Sequence, residues 1–401
     1  MKKFILRTFV FLCVAALAFL TLVGCADRPA DEQTGGVAED NRLLKAQGDD
    51  FVNEKGEKVF IKAVNAGGLF IQEEWMCATD LVDHLTLCET LESRFGKEKA
   101  LELIGIYESA FWTENDFDNV RAYGFNCIRL PFAYFNLEDD SGALTRFERL
   151  DWFINECDER DIYVILDLHG AYGSQNGSDH SGDTSGAKLF GSEENESRTV
   201  ELWKTVAARY RDRDIIAGYD LLNEPTGAND LQRWAFYDRL YDAVRSVDDR
   251  HVLIIESVWE TKNLPDPELF EWENVAYSYH NYCWEGVGNA EKLNEFTDTK
   301  VADYVALTYE VPVFVGEFTC FEEEAAWEHT LSEYTENNVN YAVWTYKVYG
   351  TDTSWGIYSG APTEKVDPFT DRYEEIARKW SAQTTENYTP YPMYERLFKA
   401  A

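Results

Sequence analysis

Beyond residue 45 the chain alternates between two hydrophobic periods. Short runs rich in β-branched and aromatic residues recur at Val59–Asn65, Asn126–Pro131, Tyr163–His169, Ile215–Asn223, Val252–Ser257, Val275–His280, Val311–Glu317 and Tyr341–Tyr346. Their length and composition read as strands. Most are separated by stretches with apolar residues at helical spacing, such as Asp116–Tyr123, Leu150–Arg160, Ser197–Tyr210 and Asp230–Val247. Eight strands alternating with helices predict an α/β chain whose parallel strands close into a (β/α)8 TIM barrel, a single domain over 45–401. The hairpin-like Phe51–Glu57 is expected to plug the bottom of the barrel. Between the first two strands, Gly67 to Phe125 form a long insert, aromatic and acidic, with at least one helix, expected at Lys97–Glu108. A long ordered insert at a functional rim shapes specificity.

Ahead of the barrel the pattern is different. Lys2, Lys3 and Arg7 precede the apolar run Phe9–Val23, then Gly24, Cys25 and the polar stretch Ala26–Asp40. This reads as a secretory signal over 1–24 followed by a polar linker over 25–44. Leu22 to Cys25 resemble the lipobox of bacterial lipoproteins, which implies lipid on Cys25, an extracellular position at the cell surface, and membrane contact through that anchor only. The alternative is ordinary signal cleavage, with Cys25 an incidental thiol.

Composition narrows the partners. A formal net charge of -36 with no basic stripe repels phosphate backbones and anionic lipid, so nucleic acid is not expected, whereas a neutral sugar is not penalised. The eight cysteines contain no C-x-x-C pair, so neither a zinc site nor a redox motif is indicated, and no metal or other cofactor is expected. Cys77 and Cys88 are close enough in sequence for a disulfide; free buried thiols are the alternative. A monomer is expected.

In a barrel of this kind the C-terminal strand ends build the active site. Polar residues collect there: Arg129 on the second strand, His169 on the third, Asn223 and Glu224 on the fourth, His280 and Tyr282 on the sixth, Glu317 on the seventh and Trp344 on the eighth. Each alone could be structural, but buried charges cost several kcal/mol unless paired, and so many at one rim point to a site. Glycoside hydrolysis needs one carboxyl that gives a proton to the departing oxygen and another that attacks the anomeric carbon. Glu224 and Glu317 would face each other across the barrel. Arg129 and Tyr282 can favour the ionised form of Glu317, while Glu224 is expected to hold its proton through desolvation or negative neighbours. Trp344 can stack on a sugar ring.

The ordered segments Cys127-Ile128-Arg129-Leu130-Pro131, Asp167-Leu168-His169-Gly170, Leu222-Asn223-Glu224-Pro225, His280-Asn281-Tyr282, Val315-Gly316-Glu317-Phe318 and Val343-Trp344-Thr345 resemble the motifs of glycoside hydrolase family five, a group of cellulases and exo-glucanases. That resemblance implies a retaining mechanism with Glu224 as acid/base and Glu317 as nucleophile. It also implies Asn223 on the sugar 2-hydroxyl, with Arg129, His169, His280, Tyr282 and Trp344 shaping the sugar site. Within the family, the insert segment Ala66 to Trp75 and the loop His169 to Gly177 are similar to exo-β-1,3-glucanases. There Glu73 would match a carboxylate that binds the terminal glucose of an oligo- or polysaccharide β-glucan. Tyr172 departs from the pattern, standing where proline is usual.

Other readings stay open. An endo-β-1,4-glucanase or mannanase is the alternative enzyme, and a glycan-binding lipoprotein on an inactive barrel the alternative of another class. Asp179, His180 and Asp183 could hold a metal or form a polar rim. Trp75, Trp259, Trp284, Trp355 and Tyr358 could line further sugar subsites or pack. His84, His251 and His329 read as structural or surface residues, and Cys320 as a packing residue.

Overall fold

The computed structural model describes residues 42–350, 354–360 and 364–399. The expected signal, Cys25 and most of the linker lie outside these residues.

Eight parallel strands form a closed barrel: β3 (Lys62–Asn65), β4 (Cys127–Ala133), β5 (Tyr163–Gly170), β6 (Ile216–Asp220), β7 (Val252–Glu256), β8 (Val275–Asn281), β9 (Val313–Phe318) and β10 (Asn340–Val343), which returns to pair with β3. Before them, β1 (Lys45–Gln47) and β2 (Asp50–Val52) make an antiparallel hairpin. Its Phe51, together with Leu44, packs on Ile61, Ala63, Cys127, Ile165, Ile254 and Phe314 inside the barrel floor, so the expected plug is present.

The floor explains the site above it. Successive strand residues point to opposite faces, so inward positions recur every two residues. Two residues beyond the floor positions Ala63, Cys127, Ile165 and Ile254 come Asn65, Arg129, Asp167 and Glu256. A fully buried polar layer therefore lies on an apolar one. Asp220 joins it across a register shift between β5 and β6.

The insert holds three helices: α1 (His84–Phe95), then α2 (Lys97–Phe111) and α3 (Glu114–Ala122) where helices were expected. Asp83 caps α1 by accepting from the Thr86 amide, and Gly96, at φ 81°, turns the chain from α1 into α2. Tyr107 fastens α2 to the barrel rim by donating to the Gly68 carbonyl at 2.6 Å. A one-turn α4 (Tyr134–Leu137), then α5 (Glu148–Glu159), α6 (Glu193–Tyr210), α7 (Asp230–Arg245), α8 (Ala290–Val305) and α9 (Glu324–Glu336), complete the outer ring with the expected helices near their predicted bounds. Cys77 and Cys88 are both free thiols, and no helix among the described residues is long and apolar enough to cross a membrane.

Candidate active site

The β6 strand ends at Asp220, four residues before Glu224, and not at the predicted Asn223. Past Asp220 the neighbours still hold the chain: the Leu221 amide donates to Ile254 O and the Asn223 amide to Leu168 O. Gln175 Nε2 donates to Asn223 O at 2.8 Å. Glu224 itself takes a left-handed backbone, φ 43°, a sparsely populated conformation for a residue with a Cβ. The turn aims its carboxyl into the pocket. The eighth strand is also shorter than predicted, ending at Val343, so Trp344 belongs to the loop above it.

The fold brings the predicted side chains together. Arg129, fully buried, donates to Glu317 Oε1 from Nη1 at 2.9 Å and to Asn223 Oδ1 from Nη2 at 2.8 Å. Tyr282 donates its hydroxyl to Glu317 Oε2 at 2.7 Å. His280 Nδ1 lies 2.7 Å from Glu224 Oε1 and 3.5 Å from Glu317 Oε2, and carboxylate oxygens of the two glutamates approach within 4.8 Å. His169 is fixed by Asp167 at 2.6 Å, and its ring is parallel to Trp344 within 5° at 5.6 Å. Gly316 is required by close approach, because a Cβ there would come within 2.8 Å of Ser278 Oγ and 3.1 Å of His280 Nε2.

The electrostatics differ from expectation at Glu224. Burial pushes its carboxyl up, but the hydrogen bond and charge of His280 are the largest of the effects that outweigh this and bring it down to about 2. Burial depresses His280, yet Glu256, Glu317 and Glu224 raise its ring to about 10. His280 therefore favours the ionised form of Glu224, opposite to the protonated form expected from desolvation.

Glu73 is a buried rim residue, 5% exposed, that accepts from Trp75 Nε1 at 2.7 Å. Its neighbour Glu74 takes the surface pairing with Lys365. Burial raises the Glu73 carboxyl to about 7. Glu73, Glu224 and Glu317 share one recess of about 420 Å³ with Trp75, Trp259, Trp284, Trp344 and Trp355. Tyr358 is absent from it, packed against Tyr346 in a small sheet. A larger recess, about 730 Å³, lies at the opposite end beside the β1–β2 hairpin and contains none of these groups. His180 does not gather with Asp179 and Asp183 as a ligand set; its Nε2 stands 3.3 Å from Glu224 Oε2. His84 accepts from the Gln72 amide and His251 pairs with Asp248, as their structural reading requires. Tyr172 stacks on Tyr134 at 4.1 Å and donates to Glu138, so the residue that replaces proline anchors the loop through its ring.

Three buried carboxyls were not among the predicted residues: Asp167, Asp220 and Glu256. Arg129 meets them at 3.2, 2.9 and 3.7 Å. The rule that singled out the other strand ends applies equally to Glu256, the last residue of β7, where the apolar run Val252–Ile255 draws the eye away from it.

Residues 95–350 match the cellulase family, glycosyl hydrolase family 5. Curated relatives include a beta-xylosidase of Phanerodontia chrysosporium, 34% identical over 60% of this chain and 52% of its own length. A probable glucan 1,3-beta-glucosidase A of Aspergillus clavatus is 30% identical over 60% of this chain and 59% of its own. The chain thus spans little more than half the length of these relatives. A glucan 1,3-beta-glucosidase of Candida oleophila, 26% identical, covers 83% of this chain and 81% of its own length. Among solved structures, the rutinosidase from Aspergillus niger superposes with a TM-score of 0.59 at 17% identity, over 85% of this chain and 99% of that one, a likeness of fold.

Proposed function

The chain belongs to the cellulase family, glycosyl hydrolase family 5, and is a glycoside hydrolase; from that membership and the geometry of its site we propose a retaining β-glycosidase that releases the terminal sugar of a β-glucan. The observation that carries the proposal is the approach of Glu224 and Glu317 oxygens within 4.8 Å. Retaining enzymes hold their carboxyls about 5 to 5.5 Å apart, whereas inverting ones leave room for a water.

Glu317 attacks the anomeric carbon, held by Arg129 and Tyr282 with one oxygen each. As the C–O bond breaks, the leaving oxygen takes a proton from Glu224, which draws it from His280 across the 2.7 Å bond. Water then attacks the glycosyl-enzyme with Glu224 as base, and Glu317 leaves. Asn223 Nδ2, buried and without a protein partner, suits the sugar 2-hydroxyl. The buried Glu73 supports exo action, since a carboxylate can accept from two hydroxyls of a terminal ring. A β-1,3-glucan fits the names of the glucan 1,3-beta-glucosidase relatives; the cellulase description of the family keeps an endo-acting β-1,4 reading in view. From the sequence we also propose a monomer anchored at the cell surface through lipid on Cys25.

The test is an aryl β-glucoside fluorinated at C2. It should leave a covalent glycosyl adduct on the Glu317 peptide, and unfluorinated substrate should first release the β-anomer. The α-anomer as first product would overturn the retaining reading.

A further inference from the structure

We propose that Glu256 is a positioning residue for the acid/base function of Glu224: one carboxyl fixes both the strained backbone of Glu224 and the ring of His280 that faces it. The inference rests on Glu224 acting as acid/base.

The geometry is specific. Glu256 Oε1 accepts from the Glu224 backbone amide at 2.9 Å. That amide belongs to the residue at φ 43°, so the bond anchors the turn at its least favourable point. Glu256 Oε2 lies 3.4 Å from His280 Nε2, an ion-pair distance, and neither of these buried atoms has a hydrogen-bond partner. His280 Nδ1 then bonds Glu224 Oε1. The chain Glu256–His280–Glu224 starts behind the pocket and ends at the carboxyl that meets the leaving group. The backbone carbonyl of Glu256 is held by the Tyr237 hydroxyl from α7 at 3.0 Å, which keeps the end of β7 in place.

The groups around Glu256 decide what it can do. Arg129 from β4 stands 3.7 Å away, His280 reaches it from β8, Asp220 crowds it from β6, and Glu224 lies above. Burial pushes the Glu256 carboxyl well above its ordinary range, with Asp220 and Glu224 adding to the rise and His280 and Arg129 opposing it. Glu256 is thus the carboxyl nearest His280 Nε2, so the ring is set between two carboxyls, Nε2 toward Glu256 and Nδ1 toward Glu224. Glu256 touches no substrate in this arrangement; it acts through its two neighbours.

Glu256→Gln tests the idea. The amide can keep the oxygen that accepts from the Glu224 N–H, but its NH2 faces His280 Nε2 and makes that nitrogen an acceptor, leaving the ring neutral. Losing the proton that His280 holds against Glu224 should lower the basic limb of kcat/KM by about one pH unit, the lower end of what a single nearby charge does. Losses at neutral pH should be larger for aryl glycosides with poor leaving groups than with good ones. An unmoved limb with equal losses on both would overturn the proposal. Glu224→Gln, run in parallel, separates the two readings: if it spares good leaving groups while Glu256→Gln shows no such split, only the positioning role fails; equal losses in Glu224→Gln would remove the acid/base assignment itself. The wild-type full chain gives a reading that no folding defect can blur. Side-chain ¹⁵N spectra should show one histidine ring that stays protonated between pH 5 and 8, and assignment of all six rings as titrating or neutral across that range would also overturn the proposal.

Discussion

Glu73 offers the sharpest test of exo action, because its function and its cost to the fold should separate. Replacing it with Gln keeps a similar shape and one acceptor but abolishes the charge. A hydrogen bond to a charged group contributes about 1.5 to 3 kcal/mol, so loss of one such bond to a terminal hydroxyl should lower kcat/KM by about 10-fold to 150-fold. The effect should depend on pH. The Glu73 carboxyl is raised from 4.5 to about 7 by burial, so the wild type gains its charged acceptor only as pH rises through 7. The ratio of wild-type to variant kcat/KM should therefore be small near pH 5.5 and grow toward pH 8. Stability should run the other way. A folded-state value above the unfolded one means stability is fully present below 4.5 and is lost as pH rises through 7. The raised value corresponds to up to about 3 kcal/mol at 1.36 kcal/mol per unit, and the variant is free of this loss. Above pH 7 Glu73→Gln should melt a few degrees higher than the wild type while working less well. Kinetics on a terminal aryl β-glucoside and thermal unfolding at three pH values supply both readouts. A variant with unchanged kinetics at pH 8, or a wild type that cuts viscosity rapidly while releasing a ladder of oligosaccharides, would refute the reasoning.

Glu224→Gln should spare substrates whose leaving groups need little protonation and lose about 10²-fold to 10⁴-fold on poor ones, measured with a series of aryl glycosides. Gly316→Ala places a methyl group 2.8 Å from Ser278 Oγ and 3.1 Å from His280 Nε2; it should destabilise the fold by about 1 to 3 kcal/mol in thermal unfolding and lower kcat, because the ring that serves Glu224 must move. Cys25→Ser should leave activity intact and shift the protein from the membrane fraction to soluble material, as scored by fractionation of expressing cells; unchanged membrane association would exclude a lipid on Cys25.

Much of the barrel was readable in the chain because its causes are local. Strands such as Tyr163–Gly170 and Val252–Glu256 are short apolar runs whose neighbours repeat at helical spacing, and eight such units leave few ways to bury every apolar face. The chemistry at the rim was also legible, since Arg129, Glu224, His280 and Glu317 are costly to bury and the strand ends concentrate them. Three things needed the tertiary structure. The first is where β6 stops: residues after Asp220 still look like strand, but Gln175 and the neighbouring carbonyls take over the hydrogen bonds and let Glu224 turn with positive φ. The second is α1, whose Asp83 cap is local but whose buried face, Leu87 and Leu91, joins a core built by distant segments. The third is the protonation of the site. Sequence assigns Glu224 a carboxyl but not a charge, because charge depends on atoms from other strands: His280 at 2.7 Å, His180 at 3.3 Å, and Glu256 beneath. Local pattern fixes which residues reach the pocket, and only through-space distances of a few ångströms, in a medium that screens poorly, decide which of them holds the proton.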